Sequence, residues 1–143
     1  MARVLVVDDH ADSREVMSLL LQRSGYEVRT AVNGRDALAS VIDRTPDVML
    51  LDLEMPEMNG VKLVEAIRSY HRLSSIPVIV LTGLGTGDLF EEAEALNVSS
   101  LLLKATTTMQ QIRDAIRKAL TEAPSSARTY IPEKWRGDSI SPL

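Results

Sequence analysis

The stretch from Pro46 to Gly60, PDVMLLDLEMPEMNG, decides how this chain is read. Four apolar residues, Val48 to Leu51, run into a single acid, Asp52, and a turn-forming segment with Pro56, Asn59 and Gly60 follows. The pattern is that of a buried strand delivering one carboxylate to a loop. A carboxylate where a strand leaves a core serves as a nucleophile, a metal ligand or a cap of the strand. Only its neighbours can decide among the three.

Working outward toward the N-terminus, Arg3-Val4-Leu5-Val6-Val7 is a continuously apolar, β-branched run ending at Asp8-Asp9, the signature of a strand covered on both faces. Asp12 and Glu15 have the spacing of a capping box, and Val16, Leu19, Leu20 and Arg23 follow at helical spacing until Gly25 stops the first helix. Tyr26 to Ala31 is a short, partly polar strand. Asn33-Gly34 turns the chain into a second helix faced by Ala37, Leu38, Val41 and Ile42, which stops before Pro46.

Toward the C-terminus, Val61, Leu63, Val64 and Ile67 mark a third helix that fades into the polar segment from Ser69 to Ser75. Pro77 opens the next strand, Val78-Ile79-Val80-Leu81, which ends at Thr82. A glycine-rich loop from Gly83 to Gly87 leads to a short helix from Asp88 to Leu96. Leu101-Leu102-Leu103 is a fifth strand ending at Lys104, and Met109, Ile112, Ile116 and Leu120 form the stripe of a last helix. Five strands alternating with five helices predict an α/β fold: a doubly wound, five-stranded parallel sheet of the flavodoxin-like type, with ligands at the carboxyl ends of its strands.

Composition agrees. The 143 residues suit one domain able to bury roughly 70% of its unfolded surface, and 45% apolar with 25% charged residues is ordinary for a globular chain. A net charge of −4 argues against direct nucleic-acid binding. The absence of cysteine removes disulfides and thiolate metal sites. No apolar run is long enough to span a membrane, so a cytoplasmic location is expected. The composition changes after Thr121, which divides the chain into a domain, 1–121, and a C-terminal tail or linker, 122–143, carrying the single Trp135.

The carboxyl ends of strands one, three, four and five gather Asp8-Asp9, Asp52, Thr82 and Lys104. Three carboxylates brought together repel one another, and a divalent cation is the simplest remedy. All-oxygen ligands favour Mg²⁺, with Mn²⁺ as the alternative, over zinc. Lys104 and Thr82 add a fixed cation and a hydroxyl donor, the groups that hold a phosphoryl anion beside a metal-bound carboxylate. His10 is read as a helix-start residue and His71 as a solvated one.

Together VLVVDD, LLDLEMPEMNG, VIVLTG and LLLK resemble the motifs of the receiver domain of bacterial two-component response regulators, over residues 3 to about 121. The resemblance implies that Asp52 is the phosphoacceptor, that Asp9 binds Mg²⁺ directly and that Asp8 acts largely through metal-bound water. It adds the backbone carbonyl of Glu54 as a further ligand, Thr82 as a donor to a phosphoryl oxygen, and Lys104 as partner of Asp52 and then of the phosphoryl group. It implies a sensor histidine kinase or phosphotransfer protein as phosphodonor in a phosphorelay, and a downstream output protein or domain. The responsive surface would lie around the fourth helix, fifth strand and fifth helix, and a homodimer through that face is allowed by analogy.

Two positions depart from the family. Ala105 stands where proline usually follows the lysine, so a trans bond and a shifted loop are expected, since a cis bond to alanine costs roughly 2.5–4 kcal/mol. Leu101 stands where an aromatic switch residue is common, so coupling is expected to run through Thr82 and the Gly83 to Asp88 loop. Glu54, two residues beyond Asp52, is expected at the site mouth. The competing readings are a receiver-like interaction module that does not depend on phosphate, and a Mg²⁺-dependent phosphohydrolase with an aspartate nucleophile. The second lacks a cap insertion and carries its isolated acid on the third strand.

Overall fold

A computed structural model of the chain describes residues 1–53, 55, 58–83, 91–92 and 95–122. Five strands form one parallel sheet: β1 (Arg3–Val7), β2 (Glu27–Ala31), β3 (Val48–Leu51), β4 (Val78–Thr82) and β5 (Ser100–Leu103). Their spatial order is β2-β1-β3-β4-β5. The α-helices with defined bounds are α1 (Ala11–Arg23), α2 (Gly34–Asp43), α3 (Gly60–Ser69) and α4 (Met109–Thr121). The last of these is the fifth helix of the sequence reading. The expected helix from Asp88 to Leu96 lies largely outside the described residues, although residues 91–92 and 95 are helical.

β1, β3 and β4 are apolar on both faces because each face is covered. Leu5, Val7, Met49, Leu51, Val78 and Val80 pack with Ala37 and Val41 of α2 and Leu63, Val64 and Ile67 of α3. The alternate residues, Val4, Val6, Val48, Leu50, Ile79 and Leu81, pack with Leu21 of α1 and Ile112, Ile116 and Ala119 of α4. The period-two alternation of Cβ directions turns one continuous apolar run into two separate cores. β2 lies at the edge, with Arg29 and Thr30 exposed, as its polar residues predict.

Helix boundaries follow local chemistry. Gly25 ends α1 at φ 97°, a left-handed conformation suited to glycine. Asn33 caps α2 by accepting from the Asp36 N–H at 2.8 Å, and the Asp36 carboxylate accepts from the Val32 N–H at 3.0 Å. The expected turn at Asn33-Gly34 is therefore a helix cap. Asn59 caps α3 through the Lys62 N–H at 3.0 Å, and Thr108 with Gln111 forms a reciprocal capping box on α4.

The capping box expected at Asp12 and Glu15 is not the start of α1. That helix begins two residues earlier, with His10 as N-cap and no side-chain capping bond. The reason lies in the preceding turn, where the Asp8 carboxylate accepts the His10 N–H at 3.0 Å and directs the chain straight from β1 into the helix.

Between α3 and β4, the polar segment forms a short 3-10 helix, His71–Leu73, that buries Leu73. Arg68 is buried and donates from Nη1 to the Ile76 carbonyl at 2.7 Å. Burial lowers its pKa to about 10, so it stays charged at neutral pH. α4 ends at Thr121, and residues 123–143, including Trp135 and most of the expected tail, lie outside the described part. No helix among the described residues is long and apolar enough to cross a membrane.

Candidate functional site

The strand order reverses direction at β1. The chain steps from β1 to β2 on one side, then returns to β3 on the other. Crevices form at the carboxyl ends of the strands flanking such a reversal. The residues delivered there are Asp8 and Asp9 from β1 and Asp52 from β3.

The backbone holds these acids in place. The Asp8 N–H donates to the Ala31 carbonyl at 3.2 Å and the Asp52 N–H to the Val7 carbonyl at 3.0 Å, so both acids continue the sheet ladder by one residue. Arg14 Nη1 donates to the Asp8 carbonyl at 2.9 Å. Behind Asp52 the loop is closed by Gly60. A Cβ there would lie 2.7 Å from Leu53 Cα and 2.8 Å from the Asp52 carbonyl oxygen, both backbone atoms.

Asp8 and Asp52 are buried, 7% and 6% exposed, whereas Asp9 faces solvent. Lys104, one residue beyond β5, places Nζ 3.2 Å from Asp52 Oδ2 and 3.6 Å from Asp8 Oδ2. Burial pulls the lysine pKa down, but the charges and hydrogen bonds of Asp52 and Asp8 outweigh it and hold the ammonium above its ordinary value. The Lys104–Ala105 bond is trans, as expected, and Lys104–Thr106 forms a 3-10 turn leading to α4. Thr82 closes β4 between Asp52 and Lys104 and is wholly buried.

Among the described residues one lysine stands against three carboxylates, an excess of negative charge that a divalent ion would offset. Ligand atoms of Asp8, Asp9, Asp52 and His10 all lie within 4.8 Å of one another, which a single cation can bridge. The donor set therefore fits a divalent metal. His10 is the N-cap of α1, in keeping with its reading as a helix-start residue, and its ring also reaches the acid pair, which that reading did not convey. Its place next to the acid pair was the available signal. Its Nδ1 stands 3.1 Å from Asp9 Oδ1 and 3.4 Å from Asp8 Oδ1. His71 is remote on its 3-10 turn and exposed, as expected.

A groove of about 490 Å³ opens from this cluster between α1 and α4, with Asp12 near its charged end and Val16, Met17, Met109 and Ile112 along its apolar wall. Leu101 is half-buried and packs with the core shared by α2 and α3. Glu54, as backbone ligand or side chain, lies outside the described residues, as does 84–90, the part of the strand-four loop on which the expected coupling depends.

Comparison with known proteins agrees with this geometry. The profile of the response regulator receiver domain family matches residues 4–117. Sporulation initiation phosphotransferase F of Bacillus subtilis is 30% identical over 118 residues, covering 82% of this chain and 93% of that protein. The phosphate regulon transcriptional regulatory protein PhoB of Pseudomonas aeruginosa is 38% identical over 85 residues, 59% of this chain but only 37% of the relative. Several other regulators are likewise matched over about a third of their length. Among solved structures, the chemotaxis protein CheY4 of Vibrio cholerae superposes with a TM-score of 0.77 at 33% identity, covering 84% of this chain and 99% of that one.

Proposed function

The chain belongs to the response regulator receiver domain family of two-component signalling, and we propose that it accepts a phosphoryl group on Asp52 and reports it to a downstream partner. The observation that carries this reading is the convergence of Asp8, Asp9 and Asp52 on one crevice with the Lys104 ammonium 3.2 Å from Asp52.

In the proposed reaction an Asp52 carboxylate oxygen attacks the phosphorus of a phosphohistidine or a small acyl phosphate. The new bond is an acyl phosphate. The broken P–N or P–O bond leaves its electrons on the donor, which takes a proton from solvent if it is an imidazole. Water later cleaves the acyl phosphate, returning the carboxylate and inorganic phosphate.

Such a transfer needs charge neutralisation and in-line positioning more than covalent assistance. Asp8, Asp9 and Asp52 would hold Mg²⁺ or Mn²⁺, with Glu54 adding its backbone carbonyl. When bound, the ion neutralises the phosphoryl oxygens. Lys104 would move from its carboxylate partners to a phosphoryl oxygen, and Thr82 would donate its hydroxyl to another. The burial of Asp52 limits approach to the crevice mouth. The phosphodonor would be a sensor histidine kinase or a phosphotransfer protein. The output would be a downstream protein or attached domain, with a homodimer through the face around β5 and α4 as one way of presenting it.

Incubation with Mg²⁺ and acetyl phosphate, read by intact mass, tests the proposal. One phosphoryl group is expected on the wild type and none on Asp52→Asn, with slower uptake by Lys104→Met and Thr82→Ala. No uptake by the wild type, or uptake that survives Asp52→Asn, overturns it. Turnover of added phosphate esters would instead support a phosphohydrolase.

A further inference from the structure

We propose that His10 is itself a ligand of the divalent ion at this site, and that its imidazole shifts the site's preference from Mg²⁺ toward Mn²⁺ and later first-row ions. This rests on the phosphoacceptor reading, because it concerns the ion of that same crevice.

The placement of the ring carries the argument. Nδ1 lies 3.1 Å from Asp9 Oδ1 and 3.4 Å from Asp8 Oδ1. Neighbouring ligands on a small divalent cation with bonds of roughly 2.0–2.4 Å stand about 3–3.5 Å apart. The nitrogen thus already occupies the spacing of an adjacent ligand, and it belongs to the same four-atom group as Asp52.

The backbone fixes it there. The His10 N–H is held by Asp8 Oδ1 at 3.0 Å, and its carbonyl accepts the first helical bond, from the Arg14 N–H at 3.0 Å. Although His10 is the N-cap of α1, its side chain makes no capping bond, so the ring is not committed to the helix end. With 69% of the side chain exposed, it can turn onto an ion without disturbing the core.

The chemical consequence follows from ligand preference. Mg²⁺ takes oxygen ligands and retains water, whereas imidazole nitrogen favours the transition-metal divalents. Asp8, Asp9 and Asp52 would serve either class of ion. His10 would discriminate between them.

The test uses the intact chain, stripped of metal, and titrated with Mn²⁺ alone and in competition with Mg²⁺. Pulsed electron paramagnetic resonance of bound Mn²⁺ is expected to show imidazole ¹⁴N coupling in the wild type and in His71→Ala, and to lose it in His10→Ala. The selectivity for Mn²⁺ over Mg²⁺ is expected to fall by about tenfold or more in His10→Ala, the lower end of what even an outer-sphere partner contributes. Mg²⁺ affinity itself should change little. His10→Gln repeats the comparison should His10→Ala lose its circular-dichroism spectrum.

Mn²⁺ binding without ¹⁴N coupling, or selectivity unchanged by the substitution, overturns the role of His10 and leaves the phosphoacceptor reading standing. Failure of both ions to bind the wild type overturns both. Uptake of phosphate from acetyl phosphate, measured in Mg²⁺ alone, reports the phosphoacceptor reading separately.

Discussion

Asp9→Asn should make the metal-free protein more stable. The Asp9 carboxylate lies within 4.8 Å of ligand atoms on Asp8 and Asp52. Two like charges at that distance repel by about 3.5 kcal/mol at an effective dielectric near 20. Solvent reaches 28% of the Asp9 side chain, and exposure of that order weakens such terms, so a net gain of about 1–2 kcal/mol is expected. Asparagine keeps both the size of the side chain and an oxygen that can accept from His10, so the substitution removes charge with little loss of contact.

Urea unfolding in the presence of a chelator reads the gain as a raised midpoint with an unchanged slope. Adding divalent ion at a hundred times its dissociation constant should stabilise the wild type by about 2.7 kcal/mol. The variant should gain far less, and the order of stability should reverse. If Asp9→Asn is the less stable protein under chelation, with the same slope, the three carboxylates do not repel and the electrostatic case for a cation fails.

The other predictions use the same unfolding assay. Gly60→Ala should cost about 1–3 kcal/mol, the range for overpacking, because its Cβ would meet the backbone of Asp52 and Leu53, which cannot rotate away. An unchanged midpoint would show that the loop gives way freely. Thr108→Ala should cost about 1 kcal/mol by removing the oxygen that accepts the Gln111 N–H at 3.1 Å, and should leave metal binding intact. Lys104 has a raised pKa in the folded state, so its stabilising contribution is fully present below the unfolded value of about 10.4 and is lost as pH rises through the folded value. Because a third of its side chain is exposed, the effect should stay under about 1 kcal/mol. Arg68, lowered to about 10, acts in the opposite sense over that alkaline range, since its buried charge becomes easier to lose. The difference between wild type and Lys104→Met isolates the lysine, and identical alkaline profiles for the two would contradict the assignment.

The strands were legible because their covering is two-sided. Val48 to Leu51 leaves no polar face to expose, and a parallel strand between helical layers is the arrangement that accepts such a run. Once the strands are placed, Asp8, Asp9, Asp52 and Lys104 follow, since each stands within two residues of a strand end. What the pattern did not convey was the conformation between elements. Asp12 and Glu15 satisfy the spacing of a capping box, yet Asp8 takes the His10 N–H first and starts the helix earlier. Asn33-Gly34 satisfies the composition of a turn, yet the Asp36 N–H two residues beyond Gly34 makes Asn33 a cap. The contact of His10 with the acid pair escapes the pattern for the same reason. The ring direction depends on the turn after β1, and no periodicity records that turn.

The distribution of side-chain lengths across the sheet follows from its order. Asp8 and Asp52 leave neighbouring strands, so short side chains suffice to bring their carboxylates into one crevice. Lys104 leaves β5, separated from β3 by the whole of β4. Strands spaced about 4.8 Å apart put it roughly 9–10 Å away at the backbone. A long, unbranched side chain is needed to cross that distance, and lysine ends in a compact head whose three donors can face Asp52 and Asp8 together. Thr82 ends β4, the strand that lies between β3 and β5, and is wholly buried. Leucine at position 101 places no such demand on the crevice, because its side chain packs into the α2 and α3 core. The strand order thus sets which side-chain lengths can bring Asp8, Asp52 and Lys104 together at one crevice.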